Sequence, residues 1–243
     1  MTVSPTTVHP GRAEHRSRRV LVASLAFLLG GLAVALLYQF DVFGGSSSST
    51  TEGSGVPATQ ARDVAAFTSI ELAGSNNVLI RVGEKQSIAV RADDNLLDRV
   101  KTEVQSGKLV IANTPGSLTT KSPMSVEVKV PTLNAVTLSG SGNIVANGVE
   151  TQSLRVSLPG SGTITGSGTT ARLDVTVGGS GTVQFTRLVA NDVRAVVSGS
   201  GSIFITATKR LDASVSGSGA ILYAGNPQDV TKSVTGNGAI AGS

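Results

Sequence analysis

Five serines, Ser141, Ser161, Ser180, Ser200 and Ser218, each stand between two glycines and recur at intervals of 18 to 20 residues. A serine acts as a nucleophile only when a base takes its proton. The two histidines, His9 and His15, lie in the extreme N-terminal tail, so this series has no imidazole to serve it. No local motif offers a lysine or carboxylate base, and the serines read as corner residues hydrogen-bonding to their copies above and below. Carboxylates are the other candidates, since glycoside hydrolysis needs a close pair of them. Asp174, Asp192, Asp212 and Asp229 are spread over different repeats. Asp174 and Asp212 share a repeat position, but two repeats separate them, roughly 9–10 Å at strand spacing, with Arg194 between. That arrangement suits ion pairing better than acid/base work. The stretch "ADDNLLD" brings Asp93, Asp94 and Asp98 together and raises the question of calcium. A solvated turn with a helix-capping aspartate explains it at lower cost. Gly160 to Gly166 imitates a phosphate-cradling loop, but that fingerprint needs a helix after it, and here a strand pattern follows. With no cysteine, thiolate metal sites and disulfides are unavailable. No catalytic, cofactor or metal site is assigned.

What must position these residues is a repeat. Its markers are the glycine pairs Gly140 and Gly142, Gly160 and Gly162, Gly179 and Gly181, Gly199 and Gly201, Gly217 and Gly219, and Gly236 and Gly238. The first glycines are 20, 19, 20, 18 and 19 residues apart. With each first glycine set at zero, offset −2 holds Leu138, Leu158, Val177, Val197, Val215 and Val234. Offset +4 holds Ile144, Ile164, Val183, Ile203, Ile221 and Ile240. Even offsets are apolar in nearly every repeat and odd ones mostly polar, the two-residue period of a strand with one buried face. A 3.6-residue period cannot produce such columns. Units this small cannot bury their own apolar face, so stacked copies share a core. The fold expected is an all-β, single-chain β-solenoid with coils of about 19–20 residues.

The triplet glycines fall on the inward parity at a change of direction. A side chain there is expected to collide across a narrow core, and a sharp corner would also favour positive φ. At offset −5, Arg155, Asp174, Arg194 and Asp212 alternate in sign, which reads as a structural charge ladder rather than a binding site. The outward column at +5 holds Gln184, Phe204 and Leu222, a patch of mixed character. Upstream, "IELAGSNNVLIRV" fits the same frame with Gly74 at zero. "SIAVRA", "KTEVQ", "KLVIAN" and "SVEVKV" read as further strands, with "DDNLLDRV" a turn or short helical piece among them. Between Gly74 and Gly140 the period is lost.

The chain of 243 residues carries a net charge of +4, but most of it is local. Residues 1–19 hold Arg12, Arg16, Arg18 and Arg19 against Glu14, and residues 20–40 hold no charge. The remainder has 16 basic and 15 acidic residues, so nothing electrostatic argues for nucleic acid. Val20 to Phe40 is an uncharged apolar run of 21 residues, long enough to span a bilayer. The preceding arginines place the tail in the cytoplasm and the rest outside it. The competing reading is a cleaved signal with Ala33-Val34-Ala35 as its site, which would make the protein secreted. The domains expected are a basic cytoplasmic tail at 1–19, a transmembrane anchor at 20–40, a flexible Gly/Ser/Thr linker at 41–58, and the solenoid at 59–243.

The run "FTSIELAGSNNVLIRVGEKQSIAVRADDNLLDRVKTEVQSGKLVIAN", then "VKVPTLNAVTLSGSGNI" and serial GSG corners, resembles the bacterial head GIN domain family of auto-transporter adhesins. The resemblance covers about residues 62–243. It implies an all-β solenoid head in an envelope-associated protein, with no enzyme activity and no catalytic residue set. One departure stands out: the chain ends "GNGAIAGS" with no membrane β-barrel after the repeats, so self-secretion is not expected. The function expected is a non-catalytic binding, adhesion or structural module of the cell envelope, with an envelope glycan or envelope protein as partner. A sensor or accessory subunit bound to another membrane protein is the first alternative, and a polysaccharide-active enzyme the second. Self-association through the terminal coil is a further expectation.

Overall fold

The computed structural model describes residues 50–243. The basic tail, the hydrophobic run at 20–40 and the linker up to residue 49 lie outside the described residues. Among the described residues no helix is long and apolar enough to cross a membrane.

Even-offset apolar residues and GSG corners build the stack directly. Four long strands, each bent once or more, carry it: β11 (Asn143–Leu158), β12 (Thr163–Val177), β13 (Thr182–Val197) and β14 (Ser202–Gly217), closed by β15 (Ala220–Ala224), β16 (Asp229–Gly236) and β17 (Ala239–Gly242). Each coil runs outward from a corner, bends, and returns to the next corner. Neighbouring coils pair in parallel and like faces like: Ile144 pairs with Ile164, that with Val183, that with Ile203, then Ile221 and Ile240. The result is a β-solenoid of about five turns with one continuous apolar core. Phe185, fully buried, fits against Gly166 of the coil before it, where a Cβ would stand 2.7 Å from the ring.

Coil-length differences are absorbed at the bends and leave the corners in register. Register slips occur between Ala146 and Val149, Thr165 and Ser167, Phe185 and Val189, and Ala190 and Asp192, each between the outgoing and returning runs of a coil.

Below Gly140 lie β1 (Thr51–Glu52), β2 (Pro57–Arg62), β3 (Ser69–Leu72), β4 (Asn77–Val82), β5 (Ser87–Asp93), a 3-10 helix (Asp94–Arg99), β6 (Val100–Gln105), β7 (Lys108–Asn113), β8 (Leu118–Thr119), β9 (Ser125–Val130) and β10 (Ala135–Leu138). All four strands expected here form, and "DDNLLDRV" supplies the helical turn. The period disappears because spatial order departs from chain order. The coil of β3 and β4 lies between a later coil, β7 and β9, and the still later pair β10 and β11. Antiparallel strands then end the stack, with β6 on β7 and β2 on β5, itself antiparallel to β9. The β6–β7 hairpin turns on Ser106 and Gly107, both at positive φ (51° and 75°), the twist a two-residue loop needs. Exposed Lys101 and Glu103 on β6 and Pro57 on β2 blunt these edges against further pairing.

The folded region begins earlier than the Thr59 boundary read from composition. Thr51–Glu52 pairs with Leu118–Thr119, and Pro57–Arg62 is already a strand. What composition could not reveal is Asp93. Its buried carboxylate accepts hydrogen bonds from the backbone N–H groups of Gly55 (3.1 Å), Lys121 (2.9 Å) and Ser122 (3.3 Å). The end of the Gly/Ser stretch is thereby tied down.

Candidate functional site

The corners come first, because they fix every outward side chain. A Cβ on Gly181 would stand 2.5 Å from the Gly162 carbonyl oxygen and 2.7 Å from Leu158 Cδ2. Cβ atoms on Gly140, Gly160 and Gly179 would likewise meet the carbonyl oxygen of Gly74, Gly140 and Gly160 in the coil below. Gly142, Gly162, Gly201, Gly219 and Gly238 meet such an oxygen and a core side chain together. The obstruction is therefore the neighbouring coil, not chain across the core. Positive φ is the exception: of the corner glycines only Gly217 (139°) and Gly236 (110°) adopt it.

The corner serines point outward and are exposed, as their parity requires. They form no hydroxyl ladder, which corrects the expectation from spacing. Their backbone amides do the linking instead: Ser161 N–H donates to the Gly140 carbonyl at 3.2 Å and Ser200 N–H to that of Gly179 at 3.2 Å. No base stands by these hydroxyls among the hydrogen-bonded partners of the described residues.

The charge column has the register read from the sequence. Arg155 pairs with Asp174, Asp174 with Arg194 and Arg194 with Asp212. None of the four closes an ion pair within 4.0 Å. Two residues earlier runs a second column, legible at offset −7 but not recognised from the sequence: Arg172, Asp192, Arg210 and Asp229, in the opposite phase. Here Arg210 Nη2 lies 3.6 Å from Asp229 Oδ2. The returning face is thus a checkerboard of charge with no net sign. Asp174→Arg would place three arginines in succession up one column. The expected loss is about 0.5–1 kcal/mol, since half-buried Asp174 stands between two exposed cross-strand arginines. A melting curve unchanged from that of Asp174→Asn would show that the column carries no electrostatic stabilisation.

The opposite, outgoing face is different in kind. From Asn143 upward its outward columns hold residues such as Thr163, Thr182 and Ser202 at +3, and Thr165, Gln184, Phe204 and Leu222 at +5. They carry no formal charge. Phe204 is half-buried between Gln184 and Leu222, so it belongs to the outer face rather than a second core. In the lowest coils this face does carry charge, with Arg81 Nε and Glu127 Oε1 paired at 2.9 Å, and in the upper coils exposed Arg187 stands beside Ser167 where the run ends.

The acidic cluster at 93–98 does not converge on a cation. Asp93 precedes the 3-10 helix but makes no side-chain capping bond there. Burial pushes its carboxyl pKa up, but hydrogen bonds from the Ser122 hydroxyl and the Lys121, Ser122 and Gly55 amides outweigh that, so the net shift is downward. Asp94 and Asp98 are exposed, with Asp94 bonded to the Ser54 hydroxyl (2.5 Å) and the Asn95 amide (2.7 Å). Among the described residues no three His, Asp or Glu side chains could hold a metal ion.

The upper coils thus present two outward faces of contrasting composition. Residues 66–227 match the family model described as "Putative auto-transporter adhesin, head GIN domain". No curated protein matches the sequence. A solved structure from Bacteroides fragilis, described as "a putative adhesin", is 23% identical with a TM-score of 0.66, covering 79% of this chain and 99% of that one. Another from Parabacteroides distasonis, described as a "putative adhesin", is 21% identical with a TM-score of 0.51, covering 80% and 100%. At that identity the likeness speaks to the fold, and the family model to kinship. The chain belongs to the head GIN domain family.

Proposed function

We propose that the protein is a membrane-anchored, extracytoplasmic β-solenoid that serves as a non-catalytic binding and adhesion module of the bacterial cell envelope. The observation that carries this reading is the contrast between the two broad faces of the upper coils, a charge checkerboard on one and uncharged outward columns at +3 and +5 on the other, stacked in register by the corners. The uncharged run at 20–40 and the arginines before it supply the anchor in this reading. Membership of a family described by adhesion supports it. Electrostatic steering has no part in such a module, because the charged face is balanced and the +3 and +5 columns of the other carry no charge in the upper coils.

The test is co-sedimentation of the full-length chain, purified in detergent, with cell-wall and surface-polysaccharide fractions at low and high salt. Saturable binding that persists at high salt is expected. Absence of binding to every fraction would overturn the adhesive reading and direct the search to a membrane-protein partner.

A further inference from the structure

The coil between Gly160 and Gly179 spans 19 residues, whereas the coils on either side span 20 each. The residue it lacks is taken out before Gly168, where the register slips; beyond that point Thr169 and Thr170 pair in step with Glu150 and Thr151 on one side and Val189 and Ala190 on the other, so three successive coils bend together. A groove of about 640 Å³ runs across these bends, reaching Asn134 on one side and Asn191 on the other. It lies on neither broad face. We propose that this groove is a binding site for a neutral, hydroxyl-rich glycan segment. The proposal rests on the reading of the protein as an envelope binding module and says where and what it binds.

The chemistry of the walls makes the selection. Asn134, Gln152, Asn191 and Thr169 contribute amides and a hydroxyl, which donate and accept as vicinal sugar hydroxyls require. Thr151 Oγ1 lies 3.3 Å from Asn134 Oδ1, and Thr208 Oγ1 lies 3.1 Å from Asn191 Oδ1. Both amide oxygens are thus engaged, and neither Nδ2 has a partner among the described residues. Val189, 39% exposed, adds an apolar wall for the C–H face of a sugar ring. No lysine or arginine lines the groove, and its one charge is Glu150. Phosphate, sulfate and uronate polymers would meet a carboxylate and no cation, so anionic glycans are disfavoured. A single carboxylate is too few for a cation site.

The experiment is calorimetric titration of the full-length chain in detergent with neutral oligosaccharides of glucose, mannose, xylose and N-acetylglucosamine, and with oligogalacturonate as the anionic control. Binding of at least one neutral oligosaccharide is expected, weakened tenfold or more by Gln152→Ala with Asn191→Ala, and abolished by Thr169→Arg. These side chains are exposed or half-buried, and an unchanged melting curve shows that each variant is folded. Neutral binding indifferent to all three changes, preference for oligogalacturonate, or no binding to any probe would overturn the groove assignment. Retained binding of the Thr169→Arg variant to cell-wall fractions would overturn it too, while leaving the adhesive module standing. Loss of fraction binding by the unaltered chain would instead remove the module itself.

Discussion

Gly181→Val lowers the melting temperature by roughly 6–12 °C, whereas Ser180→Val, one residue away, changes it by less than about 2 °C. The difference lies in direction. Ser180 points to solvent, while a Cβ at Gly181 would already stand 2.5 Å from the Gly162 carbonyl oxygen and 2.7 Å from Leu158 Cδ2. Valine adds two further methyls in that space. Overpacking of this kind costs typically 1–3 kcal/mol, and the backbone oxygen cannot move without breaking the corner ladder, so about 3 kcal/mol is expected. Backbone conformation is not at issue, since Gly181 does not adopt positive φ. Stacked coils touch only their neighbours, so the damage should be local. Hydrogen exchange should quicken in β13 and the coils beyond it, and remain slow in β3, β7 and β9. Equal melting temperatures for the two variants would mean that the corners tolerate side chains and that the stack is looser than described.

The second large effect is expected at Asp93. Asp93→Asn keeps the shape but turns one acceptor into a donor facing backbone N–H groups that are donors themselves. Gly53 packs directly on this carboxylate, so there is no room for the side chain to swing away. Amide exchange at Gly55, Lys121 and Ser122 should rise by tenfold or more, and the melting temperature should fall. The same carboxylate gives the fold an acid sensitivity. Its native pKa is lowered from the ordinary 3.8, so the unfolded chain binds the proton more tightly. The stabilisation it contributes is complete above about pH 4 and drains away as pH falls through the lowered native value. The variant should lack this component of acid unfolding. If both proteins lose stability alike on acidification, the carboxylate is not what ties residues 51–58 to the domain.

The upper coils were legible because all their information is local and periodic. Val156, Val175, Ala195 and Ala213 keep one offset from the corner, and that offset alone sets which face they take and what they stack upon. The offset arithmetic also contained the second charge column, Arg172 to Asp229. In the lower block the strands were legible but their order in the stack was not. Nothing near Asn77–Val82 says that its partner is Ser125–Val130, because that pairing depends on how the 42 intervening residues leave and re-enter the stack. Thr51–Glu52 looked like linker for the same reason, its partner being Leu118–Thr119. The groove lies in between. Its polar residues Gln152, Thr169 and Asn191 were on view, but they line one recess only when the bends of successive coils are stacked.

The displaced first coil has a consequence for synthesis. β4 lies between β9 and β11, and both are made after it. A chain emerging from its N-terminus cannot lay down its coils in the order it makes them. The first has no neighbour until Lys108–Asn113 exists for β3 and Ser125–Val130 for β4, and β10 and β11 close over its other side afterwards. From there each new coil meets a finished edge that dictates its register. Growth is templated above Gly140 and untemplated below it.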